Sequence, residues 1–258
     1  MKKKLTRKER ILCGFFAVFF LVSATLFSVE AASAYSWYCP HVANHARPET
    51  GAELRFVKEY GGYYLGADEK VIYLTFDAGY ENGNVAKILD VLKEENVPGA
   101  FFVLGNLITR NPDLVRRMTD EGHTVCNHTV HHRNMSSVPG EELLSELHEL
   151  EVLYEKTTGK PMAKFYRPPE GRFSEANLKA LSDAGYKTIF WSFAYPDWDN
   201  NKQINPERAK NMILANAHSG EVMLLHPTSS TNAAVLGDVI RALKNEGYRF
   251  GTIEELTK

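Results

Sequence analysis

Cysteine is scarce in this chain of 258 residues: there are three, and Cys13 sits inside an apolar segment near the start. Cys39 and Cys126 remain, enough for at most one bridge in an oxidising compartment, so no disulfide framework holds the fold together. An excess of one charge is missing too. With 30 basic against 32 acidic side chains and a net charge of −2, there is no basic field to hold a polyphosphate, which argues against nucleic acid as a partner. A chain with 44% hydrophobic and 24% charged residues is not a disordered tail, a collagen-like fibre or a disulfide-bound miniprotein. Its length allows two small domains or a single α/β barrel.

One long run without charge is present, at residues 11–29, behind the basic opening MKKKLTRKER and ahead of Ala32-Ser33-Ala34. This is the pattern of an export signal, with small residues where cleavage would fall. The run is also nearly long enough to span a bilayer, so residues 1–34 are expected to be a signal peptide or an N-terminal membrane anchor. In either case the basic flank stays inside and the rest lies beyond the membrane, secreted or anchored, in the extracytoplasmic envelope. Cys13 lies too near the start for a lipid-modified cysteine. Removing residues 1–34 takes away Lys2, Lys3, Lys4, Arg7, Lys8 and Arg10 but only Glu9 and Glu30, leaving a mildly acidic remainder.

From Lys70 onward, short apolar runs rich in β-branched and aromatic residues alternate with segments of helical period. The runs are 71–77, 99–105, 123–128, 164–167, 187–192, 221–226 and 248–252. The helical segments are 85–95, 112–121, 140–157, 174–184, 206–217 and 233–245, several stopping at a glycine: Gly122, Gly159, Gly185 and Gly247. Regular β-then-α alternation implies right-handed crossovers and a parallel sheet with helices outside, and seven units favour a barrel over an open sheet. Residues 35–69 show no clear period and are expected to be an extension lying on the barrel domain of residues 70–258.

Asp77, His128, Arg167 and His226 each close an expected strand, and Asp197 follows another by a few residues. In parallel β/α folds the loops after the strands meet at one mouth, so these side chains should converge there. His128 and His132 stand at i and i+4, a spacing that puts two imidazoles on one helical face within reach of one divalent ion. His41 and His45 share the spacing but not the setting, and His123, His131, His148 and His218 are expected to be structural. A carboxylate, a histidine pair, an arginine, an Asp-Trp and a further histidine suggest metal-assisted hydrolysis of an amide.

Five segments together, Thr75-Phe76-Asp77-Ala78-Gly79, His128-Thr129-Val130-His131-His132, Arg167-Pro168-Pro169-Glu170-Gly171, Asp197-Trp198 and Leu224-Leu225-His226, resemble the polysaccharide deacetylases with the NodB homology domain, carbohydrate esterase family 4. The resemblance covers residues 70–256 and implies a distorted (β/α)7 barrel. It further implies Asp77 as general base held by Arg167, and His226 as general acid tuned by Asp197. Trp198 and Leu224 would line the pocket for the acetyl methyl group and the sugar face, with the Glu170 N–H as an oxyanion donor. The continuation Tyr80-Glu81-Asn82-Gly83 resembles the branch that deacetylates N-acetylmuramic acid in peptidoglycan ahead of muramic δ-lactam formation in spore cortex. A lactyl carboxylate in such a substrate would need a local donor, and Arg172 is the candidate.

The chain departs from the family at Ala78, where most members carry a second aspartate that completes an Asp-His-His triad. A zinc-like divalent ion would then have only His128 and His132, and weaker binding is expected. The partner implied is a peptidoglycan glycan strand, met by a monomer. Two other readings stay open: an N-acetylglucosamine or chitin-type deacetylase, and an envelope glycan-binding protein whose site has decayed.

Overall fold

A computed structural model of the protein describes residues 33–42 and 44–258. The apolar run at 11–29, with nearly all of the expected signal or anchor, lies outside the described residues; among those described, no helix is long and apolar enough to cross a membrane.

All seven expected runs are strands. They are β3 (Val71–Ala78), β4 (Ala100–Val103), β5 (Thr124–Asn127), β6 (Phe165–Tyr166), β8 (Lys187–Ile189), β9 (Glu221–Leu225) and β10 (Arg249–Phe250). The sheet runs β9-β3-β4-β5-β6-β8 with every pairing parallel. Beyond β8 the chain bridges in parallel from Phe193 to Met223 of β9, so the sheet curls into a distorted barrel. β10 pairs only with Val71 and Ile72 at the start of β3. The extension contributes more than cover. Its β1 (Ala34–Ser36) pairs antiparallel with β7 (Arg172–Ser174), and its β2 (Gly62–Tyr63) adds in parallel to β8. None of β1, β2 and β7 shows an apolar run, which is why the pattern misses them.

Six helices match the expected segments: α1 (Val85–Glu94), α3 (Pro112–Asp120), α4 (Gly140–Thr158), α5 (Glu175–Asp183), α6 (Pro206–Asn216) and α7 (Ser230–Asn245). The four predicted glycine stops all have positive φ, the left-handed conformation that ends a helix and that glycine adopts without a Cβ penalty. α7 starts three residues earlier than its apolar period because the Ser229 hydroxyl accepts from the Asn232 N–H at 3.1 Å and caps it. Short α2 (Gly105–Arg110) and α8 (Ile253–Leu256), and the 3-10 segment Ala52–Tyr60, are too brief to show a period.

Side-chain alternation along the strands sorts the core into two layers. Val71 and Tyr73 join Ala100, Phe102, Cys126, Ile189 and Val222 inside the barrel. Ile72, Leu74, Phe76 and Ala78 join Phe101, Val103, Met223 and Leu225 in the layer under the helices, where α1 inserts Val85, Ile88, Leu89 and Leu92. Cys39 and Cys126 are both buried and free, so the one possible disulfide is not formed.

Candidate active site

Following the inward alternation to the end of each strand, or one step past it, brings Asp77, Leu104, His128, Trp191, Leu224 and His226 to the same end of the barrel. All of them line a cavity of about 740 Å³. The convergence follows from register: Asp77 sits beside Phe102, and Phe102 beside Cys126, so neighbouring strands present their last inward residues at one level.

Arg167 lies beneath this cavity and is wholly buried. Its guanidinium donates to Asp77 Oδ1 at 2.8 Å, to Thr75 Oγ1 at 2.9 Å and to the backbone carbonyls of Ile189 and Phe190 at 3.0 and 3.2 Å. It also stacks over the Phe102 ring, 4.2 Å from the centroid. A buried cation needs this many partners, and the planar fork is shaped to take them. Burial alone would raise the Asp77 pKa, but the Arg167 charge, with His128, His226 and the Arg167 hydrogen bond adding, outweighs it and holds the carboxyl below its ordinary value. Asp77 is thus kept ionised, with Oδ2 3.6 Å from His128 Nε2.

His128 donates through Nδ1 to the Arg167 carbonyl oxygen at 2.8 Å, which leaves Nε2 with its lone pair. Burial pushes its pKa down to about 4, so the ring is neutral and able to ligate. The His128 and His132 rings lie 5.0 Å apart at 68°. Their spacing does not arise on a helix, as expected from i and i+4, but on an irregular loop. Thr129 and His132 both take left-handed backbone angles, with φ of 71° and 55°, and Thr129 Oγ1 accepts from the His132 N–H at 3.0 Å. The turn folds the second imidazole back toward the first. These two residues fit a two-imidazole cation site; among the described residues no cluster of three or more His, Cys, Asp or Glu is placed to hold a metal. Ala78 follows the outward parity, packs fully buried under the helices and does not line the cavity.

Across the cavity, His226 donates through Nδ1 to Asp197 Oδ1 at 2.6 Å, leaving Nε2 as its free nitrogen. Burial would lower its pKa, but the Asp197 hydrogen bond and charge, with Asp77 adding, raise it above its usual value. Trp198 is 59% exposed and meets the His226 ring edge-on at 6.1 Å, so it stands at the rim as an open aromatic face. Tyr80 stands at the rim as well, its hydroxyl accepting from Asn200 Nδ2.

The third motif forms a tight turn after β6. Glu170 takes φ 56°, an uncommon left-handed angle for a residue with a Cβ, and lines the cavity with Gly171. A Cβ on Gly171 would come 2.8 Å from the Trp191 ring, so only glycine lets that indole form the wall. Arg172 does not line the cavity; its Nε lies 3.1 Å from Glu170 Oε2 at the surface. Of the set-aside histidines, His41 and His45 bond separately to the carbonyls of Ala194 and Ala217. His131 pairs with Glu146 and His218 with Ser192, and none of them lines the cavity.

Motif reading did not single out Leu104, Trp191, Tyr195 and Thr228 of the lining, nor buried Asn232, whose amide meets Asp197. Leu104 and Trp191 were accessible through the inward parity of their strands, while Tyr195, Thr228 and Asn232 lie in irregular or capping positions that carry no periodic signal.

A family model described as polysaccharide deacetylase matches residues 65–189. The chain is 42% identical, over 86% of its length and 85% of the relative's, to the peptidoglycan-N-acetylmuramic acid deacetylase PdaA of Bacillus subtilis. The solved structure of Bacillus subtilis PdaA, described as a family 4 carbohydrate esterase, superposes with a TM-score of 0.84 at 41% identity, covering 87% of this chain and 97% of that one. A peptidoglycan-N-acetylglucosamine deacetylase of Bacillus cereus is 34% identical over 74% of this chain and 90% of its own length.

Proposed function

The chain belongs to the polysaccharide deacetylase family, the hydrolases of carbohydrate esterase family 4, and from that membership we propose that it removes the N-acetyl group from N-acetylmuramic acid in peptidoglycan of the cell envelope, opening the way to muramic δ-lactam formation in spore cortex. The observation that carries the reading is the opposition, across one cavity, of an Asp77 whose carboxyl Arg167 holds below its ordinary pKa and a His226 whose pKa Asp197 raises. Two titratable groups whose surroundings push them toward opposite tasks make an acid and base pair. The muramic choice is supported by the relative at 42% identity that is named for that sugar and by Tyr80-Glu81-Asn82-Gly83.

Asp77 Oδ2 accepts a proton from the water that attacks the acetyl carbonyl, while Arg167 holds Oδ1 and so fixes which oxygen acts. The resulting oxyanion meets the backbone N–H of Glu170. His226 Nε2 then delivers its proton to the sugar nitrogen as the C–N bond breaks, and acetate and a free amine leave. Proton removal without matching protonation would stall, because an amide anion is a poor leaving group. Leu224 is an apolar wall for the acetyl methyl group, and Trp198 offers its open face to a sugar ring. A divalent cation held by His128 and His132 would polarise the acetyl carbonyl when bound.

The test is mass spectrometry of muramidase-digested peptidoglycan, with and without peptide stems, after incubation with the full chain. The expected result is loss of one acetyl mass from muramic residues, reduced by about 10²–10⁴ in rate for Asp77→Asn. That variant leaves buried Arg167 unpaired, so its folding is verified by circular dichroism. Loss confined to glucosamine residues would overturn the muramic assignment, and glycan binding without any mass change would overturn the enzyme reading.

A further inference from the structure

Asp197 spends both oxygens on fixed donors. Oδ1 accepts from His226 Nδ1 at 2.6 Å, and Oδ2 accepts from the His226 backbone N–H at 2.7 Å and from Asn232 Nδ2 at 2.6 Å. The same Asn232 nitrogen donates to the His226 carbonyl at 3.1 Å. Asn232 is 1% exposed, stands in the first turn of α7 and belongs to none of the five motifs. Its amide can sit only one way round, because reversing it would set its oxygen against a carboxylate oxygen at hydrogen-bond distance. The buried hydroxyl of Tyr195 enforces this orientation by donating to Asn232 Oδ1. Burial raises the phenol above its ordinary pKa, so the hydroxyl keeps its proton.

We propose that Asn232, oriented by Tyr195, is a positioning residue for the acid side of the reaction: it locks the Asp197 carboxylate so that Oδ1 alone meets His226 Nδ1 and Nε2 is turned to the cavity. Without the amide, the carboxylate can rotate about its Cβ–Cγ bond, and the imidazolium loses a partner of fixed geometry. Asn232 reaches the reacting atoms only through Asp197 and His226. The inference rests on the acid role given to His226 in the proposed function, and the other charged groups facing that ring are Asp77 and Arg167.

The experiment compares the wild-type chain with Asn232→Ala and Tyr195→Phe, reading kcat, KM, the pH profile and the His226 imidazole titration by ¹⁵N NMR. In Asn232→Ala the titration midpoint of His226 is expected to fall by about half a pH unit or more, because the charged ring is less well held. The basic limb of kcat should move down with it, kcat should drop about tenfold or more, and KM should change little. Tyr195→Phe removes a single oxygen and should shift both in the same direction by less. An unmoved His226 midpoint in both folded variants overturns the inference, whatever the activity. If the wild type fails to deacetylate, the functional reading fails, while the NMR midpoints still decide the positioning role.

Discussion

Ala78 is fully buried in the layer under the helices and does not line the cavity. A carboxylate there would complete a metal triad by analogy, yet in this strand register residue 78 points away from the mouth into the layer under the helices. Ala78→Asp is therefore expected to destabilise the protein by roughly 3 kcal/mol or more, the cost of burying an unpartnered polar group, and to leave zinc affinity within about threefold of wild type. Denaturant melts and competition titration against a zinc chelator test this. Tighter zinc binding without loss of stability would mean that the end of β3 turns over to present the new side chain. Asp77, His128, Arg167 and His226 stand out in the sequence as candidates by type and strand-end place, and Asp197 by its Asp-Trp pair. Asn232 and Tyr195 do not, since a buried amide and a buried phenol are indistinguishable in sequence from ordinary core polar groups. The pairing of Arg172 with Glu170 likewise depends on a turn no pattern encodes.

At the scale of elements, strand register sets the strand ends at one level, and the helices pack against the layer behind them. α1 presents Val85, Ile88, Leu89 and Leu92, all fully buried, at i, i+3, i+4 and i+7 and packs beside α7, whose capped first turn carries Asn232. Leu89→Ala should cost about 2–5 kcal/mol by leaving a cavity in that layer. The expected readout is a lower urea midpoint with an unchanged slope, and unaltered KM for the folded protein; a change below about 1 kcal/mol would show that the layer collapses onto the gap. The histidine loop gives the contrary lesson. Its i, i+4 spacing reads as helix, but two left-handed residues and the Thr129 hydroxyl bring the imidazoles together instead. The i, i+4 spacing does bring the two rings to 5.0 Å of each other, but through a loop turn and not a helical face.

For the whole molecule, the base of β9 carries a group whose ionisation bears on global stability. Glu221 is fully buried; Oε2 accepts from the His218 N–H at 3.1 Å while Oε1 has no hydrogen-bond partner. Burial drives its pKa well above the ordinary value, so the fold favours the protonated acid. A carboxyl whose folded pKa exceeds its unfolded value stabilises fully below about pH 4.5 and loses that contribution as pH rises through the folded value. Glu221→Gln should then be more stable than wild type at pH 8, by about 1–3 kcal/mol, with the advantage gone near pH 4. Equal stability of the two proteins at both pH values would show that Glu221 remains charged with a compensating partner. The sequence by itself determined the seven strands, six of the helices and the residue types of the mouth, because period, glycine stops and strand-end placement are local properties. Only the tertiary structure decided that Ala78 faces outward, that β1 and β2 of the extension join β7 and β8, and that α7 supplies an amide to Asp197. Each of these depends on register and on contacts between segments distant in the chain, where parity and packing, not local preference, choose the partner.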